Sequence, residues 1–277
     1  MVDSTAERVT IRRGLGEDQS RTSNGNVLPF FAAAEHSRLA IMGLLLDAGA
    51  DATVASSSGH TPLFVAASRG NVRACEVLIR SGGANVNTPM AVTGVTPLYI
   101  AAFNGHARVV QLLLEHEGTL VDQVEAVVGK SPLMIAVEKG HVAIVERLIQ
   151  AGADVNRALA KTGTSPLHAA AEMDHATIVR LLVAAGADID KVRAADGAAA
   201  LYIAAQNGHA VIVEILIAAG VNVDKVSPRP SIAETEAPAT RARRASHLSR
   251  CACPHSADTA SQSMCSAESC LRVVYGS

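Results

Sequence analysis

The segment TPLFVAASRGN at residues 61 to 71 returns four times without a gap: TPLYIAAFNGH (96 to 106), SPLMIAVEKGH (131 to 141), SPLHAAAEMDH (165 to 175) and AALYIAAQNGH (199 to 209). Each copy is followed by a second apolar stretch ending in a variant of A-G-A-D-V-N, as in LIQAGADVN, LLVAAGADID and LIAAGVNVD. A worn earlier copy, LPFFAAAEHSR, puts Pro29 in the position later held by Pro62, Pro97, Pro132, Pro166 and Ala200, which makes six units at spacings of 33, 35, 35, 34 and 34 residues. A fixed period of this length constrains architecture more than any local pattern. A unit so small cannot bury its own apolar face and must stack on its neighbours.

One unit can be built from its residues. Thr61 suits an N-cap, and Pro62 fits the first helical turn, where its missing N–H leaves no bond unmade. Leu63, Ala66 and Ala67 line one face of a two-turn helix that Gly70 stops. Asn71, or its equivalents His106, His141, His175 and His209, opens a second helix with apolar residues three and four apart, such as Val109, Leu112 and Leu113. Capping and turn bonding is the expected role of those histidines, because equivalent positions one period apart do not converge on a tetrahedral metal. The Gly-containing segment that follows supplies turns projecting as a finger. The fold class predicted is all-α, a solenoid of helix-turn-helix units.

These residues resemble the ankyrin repeat, whose pattern combines T-P-L-H-x-A-A, G-H, two leucines and G-A-D-V-N in about 33 residues. The resemblance covers residues 27 to 226, with insertions only in loops, at Gly82-Gly83, around Glu115 to Thr119 and before the later T-P-L segments. It implies a partner held by the exposed side of the first helices, which line a concave groove, and by the finger tips. Carried over by position, the helix candidates are Phe64, Tyr99, Met134, His168 and Tyr202, followed one turn later by Arg69, Phe103, Asn104, Lys139, Met173 and Asn207. The finger candidates are Met90, Val92, Val127, Val128, Leu159 and Arg193. In a chain with only 3 % aromatic residues, the clustering of apolar and aromatic groups in units two to four points to a contact area there. Partial packing of Phe64, Tyr99 and Tyr202 between units competes with that assignment.

Composition removes several classes of partner. A net charge of -2 gives no electrostatic footprint for nucleic-acid phosphates or an anionic membrane surface. No run approaches the roughly 18 apolar residues of a spanning helix. The N-terminus mixes both charge signs without an apolar core, unlike a secretory signal, so a reducing location is expected, cytoplasmic with the nucleus left open. Residues 1 to 26 are polar and uneven, and residues 227 to 277 are rich in Ser and Ala without periodicity. Both are expected to be disordered.

Chemical motifs reduce to chance matches. Gly129-Lys130-Ser131 ends like a phosphate-binding loop, but Val124 stands where the first glycine is required. His116-Glu117 begins like a zinc-protease helix, yet Leu120 replaces the second histidine. The carboxylates Asp51, Asp122, Asp154, Asp188 and Asp224 recur at the repeat period, which marks a loop position and not an acid–base pair. No catalytic, cofactor or metal residue is therefore assigned, and no small-molecule substrate. Cys251, Cys253, His255, Cys265 and Cys270 supply enough ligands for zinc but at spacings that fit no finger, so a zinc-binding regulatory tail is a weak alternative. Arg243-Arg244-Ala245-Ser246 suits a basophilic kinase, and phosphorylation of Ser246 would add about -1.5 to -2 charge.

The function expected is a non-catalytic scaffold or adaptor for a protein partner. The alternative is the substrate-recruiting portion of a larger enzyme or signalling protein. The last unit carries AVIVEILIAAG, as apolar as an interior helix, where a terminal repeat normally shows water a polar face. Either the tail covers it or the natural array continues.

Overall fold

The computed structural model of this protein describes residues 29 to 56 and 59 to 223. The two tails, with Ser246 and the tail cysteines, lie outside the described residues, as do the outermost residues of the 27 to 226 boundary. The six units fold as six helix pairs: α1 Pro29–Glu35 and α2 Leu39–Asp47, α3 Pro62–Ser68 and α4 Val72–Arg80, α5 Pro97–Asn104 and α6 Ala107–Leu114, α7 Pro132–Glu138 and α8 Val142–Gln150, α9 Pro166–Glu172 and α10 Ala176–Ala184, α11 Ala200–Asn207 and α12 Ala210–Ala218. There is no strand among the described residues beyond an isolated bridge between Val192 and Ala199.

The helix starts follow from the T/S-P dipeptide. The side chains of Thr61, Thr96 and Ser131 each accept the amide of the residue three positions on, at 3.1 Å. Each holds an extended backbone, and proline occupies the first turn. Ala199 keeps the same extended conformation, φ −86° and ψ 162°, without a side chain able to cap. Gly105 ends α5 at φ +82°, and a Cβ there would sit 2.9 Å from the ring of His141, so the left-handed turn and the close approach both require glycine.

First helices stack on first helices and second helices on second helices along the chain. One continuous apolar core runs through the array, with Leu63, Leu98, Leu133 and Leu167 from the first helices and Leu78, Leu113, Leu148 and Leu182 from the second all buried. Polar latches join the units at fixed places. His106 Nε2 lies 3.0 Å from the Ser68 carbonyl and His141 Nε2 3.3 Å from that of Phe103. Asn71 plays the same part towards the Glu35 carbonyl at 3.4 Å. None of these histidines caps its own helix through its side chain, which corrects the capping role expected for them. The Asn/Asp ending units two to five forms a second latch: Asn87 accepts the Leu120 amide, Asp122 that of Asp154, Asn156 that of Asp188 and Asp190 that of Asn222. Of the recurring carboxylates, Asp122 accepts across units in this way, whereas Asp51, Asp154 and Asp188 accept from the residue two positions on and shape their own turns.

Candidate interaction surface

Three of the fingers are tight hairpins closed by two backbone bonds. In the finger of residues 157 to 164, Leu159 N–H donates to Thr164 O at 2.9 Å and Gly163 N–H to Leu159 O at 2.8 Å. The same closure occurs at Met90 with Val95 and at Arg193 with Ala198. Neighbouring fingers are tied by single backbone bonds, Ala126 N–H to Thr93 O at 2.8 Å and Ala195 N–H to Thr162 O at 3.1 Å.

This geometry divides the finger candidates. The position shared by Met90, Glu125, Leu159 and Arg193 turns towards the stack. Leu159 is buried, and Met90 and Arg193 are half-buried, which corrects the assignment of Leu159 to an exposed tip. The tip proper lies two residues later, where Val92 is 77 % exposed and Val127 is 55 % exposed. Val128 is half-buried. Arg193 pairs with Asp196 in its own finger at 2.6 Å and with Glu172 at the end of α9 at 3.3 Å.

The helix candidates divide more sharply. Phe64, Tyr99, Met134 and His168 are all buried, Tyr99 at 1 % exposure, so they do not line an open groove. Tyr202, in the same position of the last unit, is 48 % exposed although its preceding unit is in place. The following unit is therefore what covers this position. Burial here is inter-unit packing, and the solvent-facing side of the first helices begins one turn later. There Arg69 is exposed and ion-paired with Glu35. Phe103 is half-buried beneath Lys139, whose Nζ stands 4.6 Å from the ring centroid. Asn104 donates to Ser68 O at 2.9 Å, and Met173 is exposed.

His168 shows what the buried position can demand of a polar residue. Its Nε2 lies 3.0 Å from the Lys191 carbonyl, which can only accept, so Nε2 carries the proton and Nδ1 accepts from Ser165 Oγ at 2.6 Å. Burial, assisted by the Arg193 charge, lowers the ring's pKa to about 4. The imidazole is a neutral strut between α9 and the next finger. Burial acts on a second group as well. Burial pushes the Cys75 thiol up to about 12, far from a reactive thiolate. Among the described residues, no group of three or more His, Cys, Asp or Glu side chains converges as a metal site, and no helix is long and apolar enough to cross a membrane.

One feature of the fingers was hidden in the sequence. The buried Glu125 carboxylate accepts the amides of Val127, Val128, Gly129 and Lys130 at 2.6 to 3.0 Å. Lys130, also buried, extends its ammonium to Glu138 at 2.9 Å. The only sequence signal was a carboxylate in a finger position held elsewhere by Met90, Leu159 and Arg193.

Stacked helix pairs with projecting, mutually bonded hairpins define a helical-repeat solenoid. The chain belongs to the ankyrin-repeat family, whose sequence pattern (ankyrin repeats, three copies) matches residues 30–125, 82–159 and 133–227. A probable E3 ubiquitin-protein ligase of Oryza sativa subsp. japonica, XBOS31, is 48 % identical over 56 residues, which are 20 % of this chain and 12 % of that protein. The chain thus matches only a small part of that relative's length. The crystal structure of the ankyrin repeat domain of Bcl-3, a member of the IkappaB family, superposes with a TM-score of 0.64 at 24 % identity, covering 70 % of this chain and 87 % of that one. At that identity the likeness shows the fold. Ankyrin repeats mark the chain as a protein–protein interaction module.

Proposed function

We propose that the chain is a non-catalytic scaffold or adaptor, acting in the cytoplasm or nucleus, that holds a protein partner across its finger tips and the ends of its first helices. The observation that carries this reading is the pair of exposed valines, Val92 and Val127, on neighbouring fingers tied by the Ala126–Thr93 backbone bond. An apolar surface fixed by main-chain bonds loses little freedom when a partner covers it. Arg69, Met173 and the Phe103–Lys139 pair extend the surface along the helix ends. Affinity capture with the full chain, compared with Val92→Asp combined with Val127→Asp, tests the reading. Partners retained by the wild type should fall at least tenfold with the finger variant and persist with Arg73→Asp, which alters an exposed residue of a second helix. Equal losses in both variants would place the contact elsewhere.

A second reading is that the array recruits substrates for a larger ligase, and the short XBOS31 match is what favours it. An in-frame catalytic domain in a transcript read beyond the 3′ end would support it.

A further inference from the structure

The two ends of the stack can be compared with its interior, position by position. The position of Ile41 is buried in every later unit, as Ala74, Val109, Ile144, Ile178 and Ile212, yet Ile41 itself is exposed. Ile212 stays buried with no described unit after it, so this position faces the preceding unit. Leu44 behaves alike: it is 69 % exposed, whereas its counterparts Leu112 and Leu181 are half-buried and Ile215 is buried. The opposite face is read from the last unit. Val110, Val145 and Val179 are buried, but Val213 is only half-buried, and Ile217 is 52 % exposed where Ile149 and Val183 are half-buried. Tyr202 belongs to this second face.

Both faces keep interior residue types. Ile41 and Leu44 repeat Ile178 and Leu181 of α10, while Val213 and Ile217 repeat Val145 and Ile149 of α8. Helices α8 and α10 pack directly on one another. The two ends are therefore the two halves of an interface that the chain already forms internally.

We propose that the protein self-associates head to tail, the last unit of one copy stacking through Tyr202, Val213 and Ile217 on Ile41, Leu44 and Ala32 of the next. The same translation that relates neighbouring units relates neighbouring copies. Half-buried Ala32 leaves room for the Tyr202 ring. The polar latch is also supplied, because exposed Arg38 occupies the position from which His106 and His141 reach back to a helix-end carbonyl. Its guanidinium donates to the corresponding carbonyl of Gln206 in the neighbouring copy. A heterologous contact of this kind does not close on itself, so association proceeds beyond a dimer.

Sedimentation velocity on the full chain over a concentration series tests the proposal. The wild type should show a mass average that climbs past the dimer. Leu44→Glu and Ile217→Glu should each sediment as a monomer. Mixed in equal amounts, they should form one species of twice the monomer mass and nothing larger, since each variant retains the face that the other lacks. Ile41→Lys and Tyr202→Lys form a second complementary pair, and circular dichroism should show unchanged helicity in all four. A wild type that remains monomeric at its highest soluble concentration, with the ends bare or covered by its own flanking chain, would overturn the proposal. So would a dimer that Leu44→Glu leaves intact, which would indicate pairing of two like ends.

Discussion

Units three and six carry nearly the same first helix, PLYIAAFN against ALYIAAQN, yet Tyr99 is 1 % exposed and Tyr202 is 48 % exposed. Their local backbones agree as well. Thr96 and Ala199 are both extended, and Gly105 and Gly208 both take left-handed conformations near +80°. What differs is the neighbour. In a stack, whether a side chain is core or surface is decided by the unit beside it, so two identical residues can differ in energetic role by several kcal/mol.

Four measurements bear on that contrast. Tyr99→Ala should cost about 3 to 5 kcal/mol in urea unfolding, the range for deleting a buried aromatic ring, whereas Tyr202→Ala should cost less than about 1. Equal costs would mean that the two positions share an environment after all. His168, the polar occupant of the same position, should make stability depend on pH. Its folded pKa of about 4 lies below its unfolded value of 6.5, so between these limits the unfolded chain binds the extra proton. Its contribution is complete above pH 6.5 and is lost as the pH falls towards 4, by up to roughly 3 kcal/mol. Burial lowers the pKa of His60 in the same direction. The substitution His168→Met, which installs the residue found there in unit four, should flatten most of the slope.

Smaller effects concern the helix start and the surface. Because Ala199 already has the cap geometry of its neighbours, Ala199→Thr with Ala200→Pro should add about 1 to 2 kcal/mol. The gain should appear in the unfolding phase of the last unit, since terminal repeats can melt apart from the rest. An unchanged midpoint for that phase would show that α11 starts differently. Arg69→Ala removes an exposed ion pair with Glu35 and should shift stability by no more than about 0.5 kcal/mol, measured by the same unfolding. A larger loss would make the Arg69 position part of the inter-unit contact, as Tyr99 is.

The repeat period, the prolines and the glycine stops made the helix pairs legible in the sequence, because each signal acts within a few residues of its cause. The candidate surface was only partly legible. Val92 and Val127 stand at hairpin tips, and their exposure follows from the turn itself. The Tyr99 position was different: helical spacing says which residues share a face, but not whether that face meets solvent or the next unit. Leu159 illustrates the same limit in the fingers, where two positions separate the inward contact from the tip. The histidines that open the second helices could be counted from sequence, but the bonds of His106 and His141 reach residues 38 positions back, a distance no local pattern encodes.

Asp174 marks another break in the pattern, standing at φ +58° where Gly70, Gly105, Gly140 and Gly208 stand in other units. Its carboxylate lies 3.4 Å from His209 Nδ1, so a contact between two side chains replaces the close approach of an imidazole to bare backbone.

The buried Glu125 carboxylate has a consequence for time rather than energy alone. Four consecutive amides, from Val127 to Lys130, are held by an acceptor within their own loop, independent of whether any neighbouring unit is folded. Hairpins closed by only two main-chain bonds can open by local fraying, while this one must first release a carboxylate bound on all sides. Its amides should therefore exchange with deuterium more slowly than those of the fingers around Met90 and Arg193, despite the exposed valine at its tip. The Val127 side chain then meets any incoming surface in one fixed orientation, persisting far longer than a single encounter.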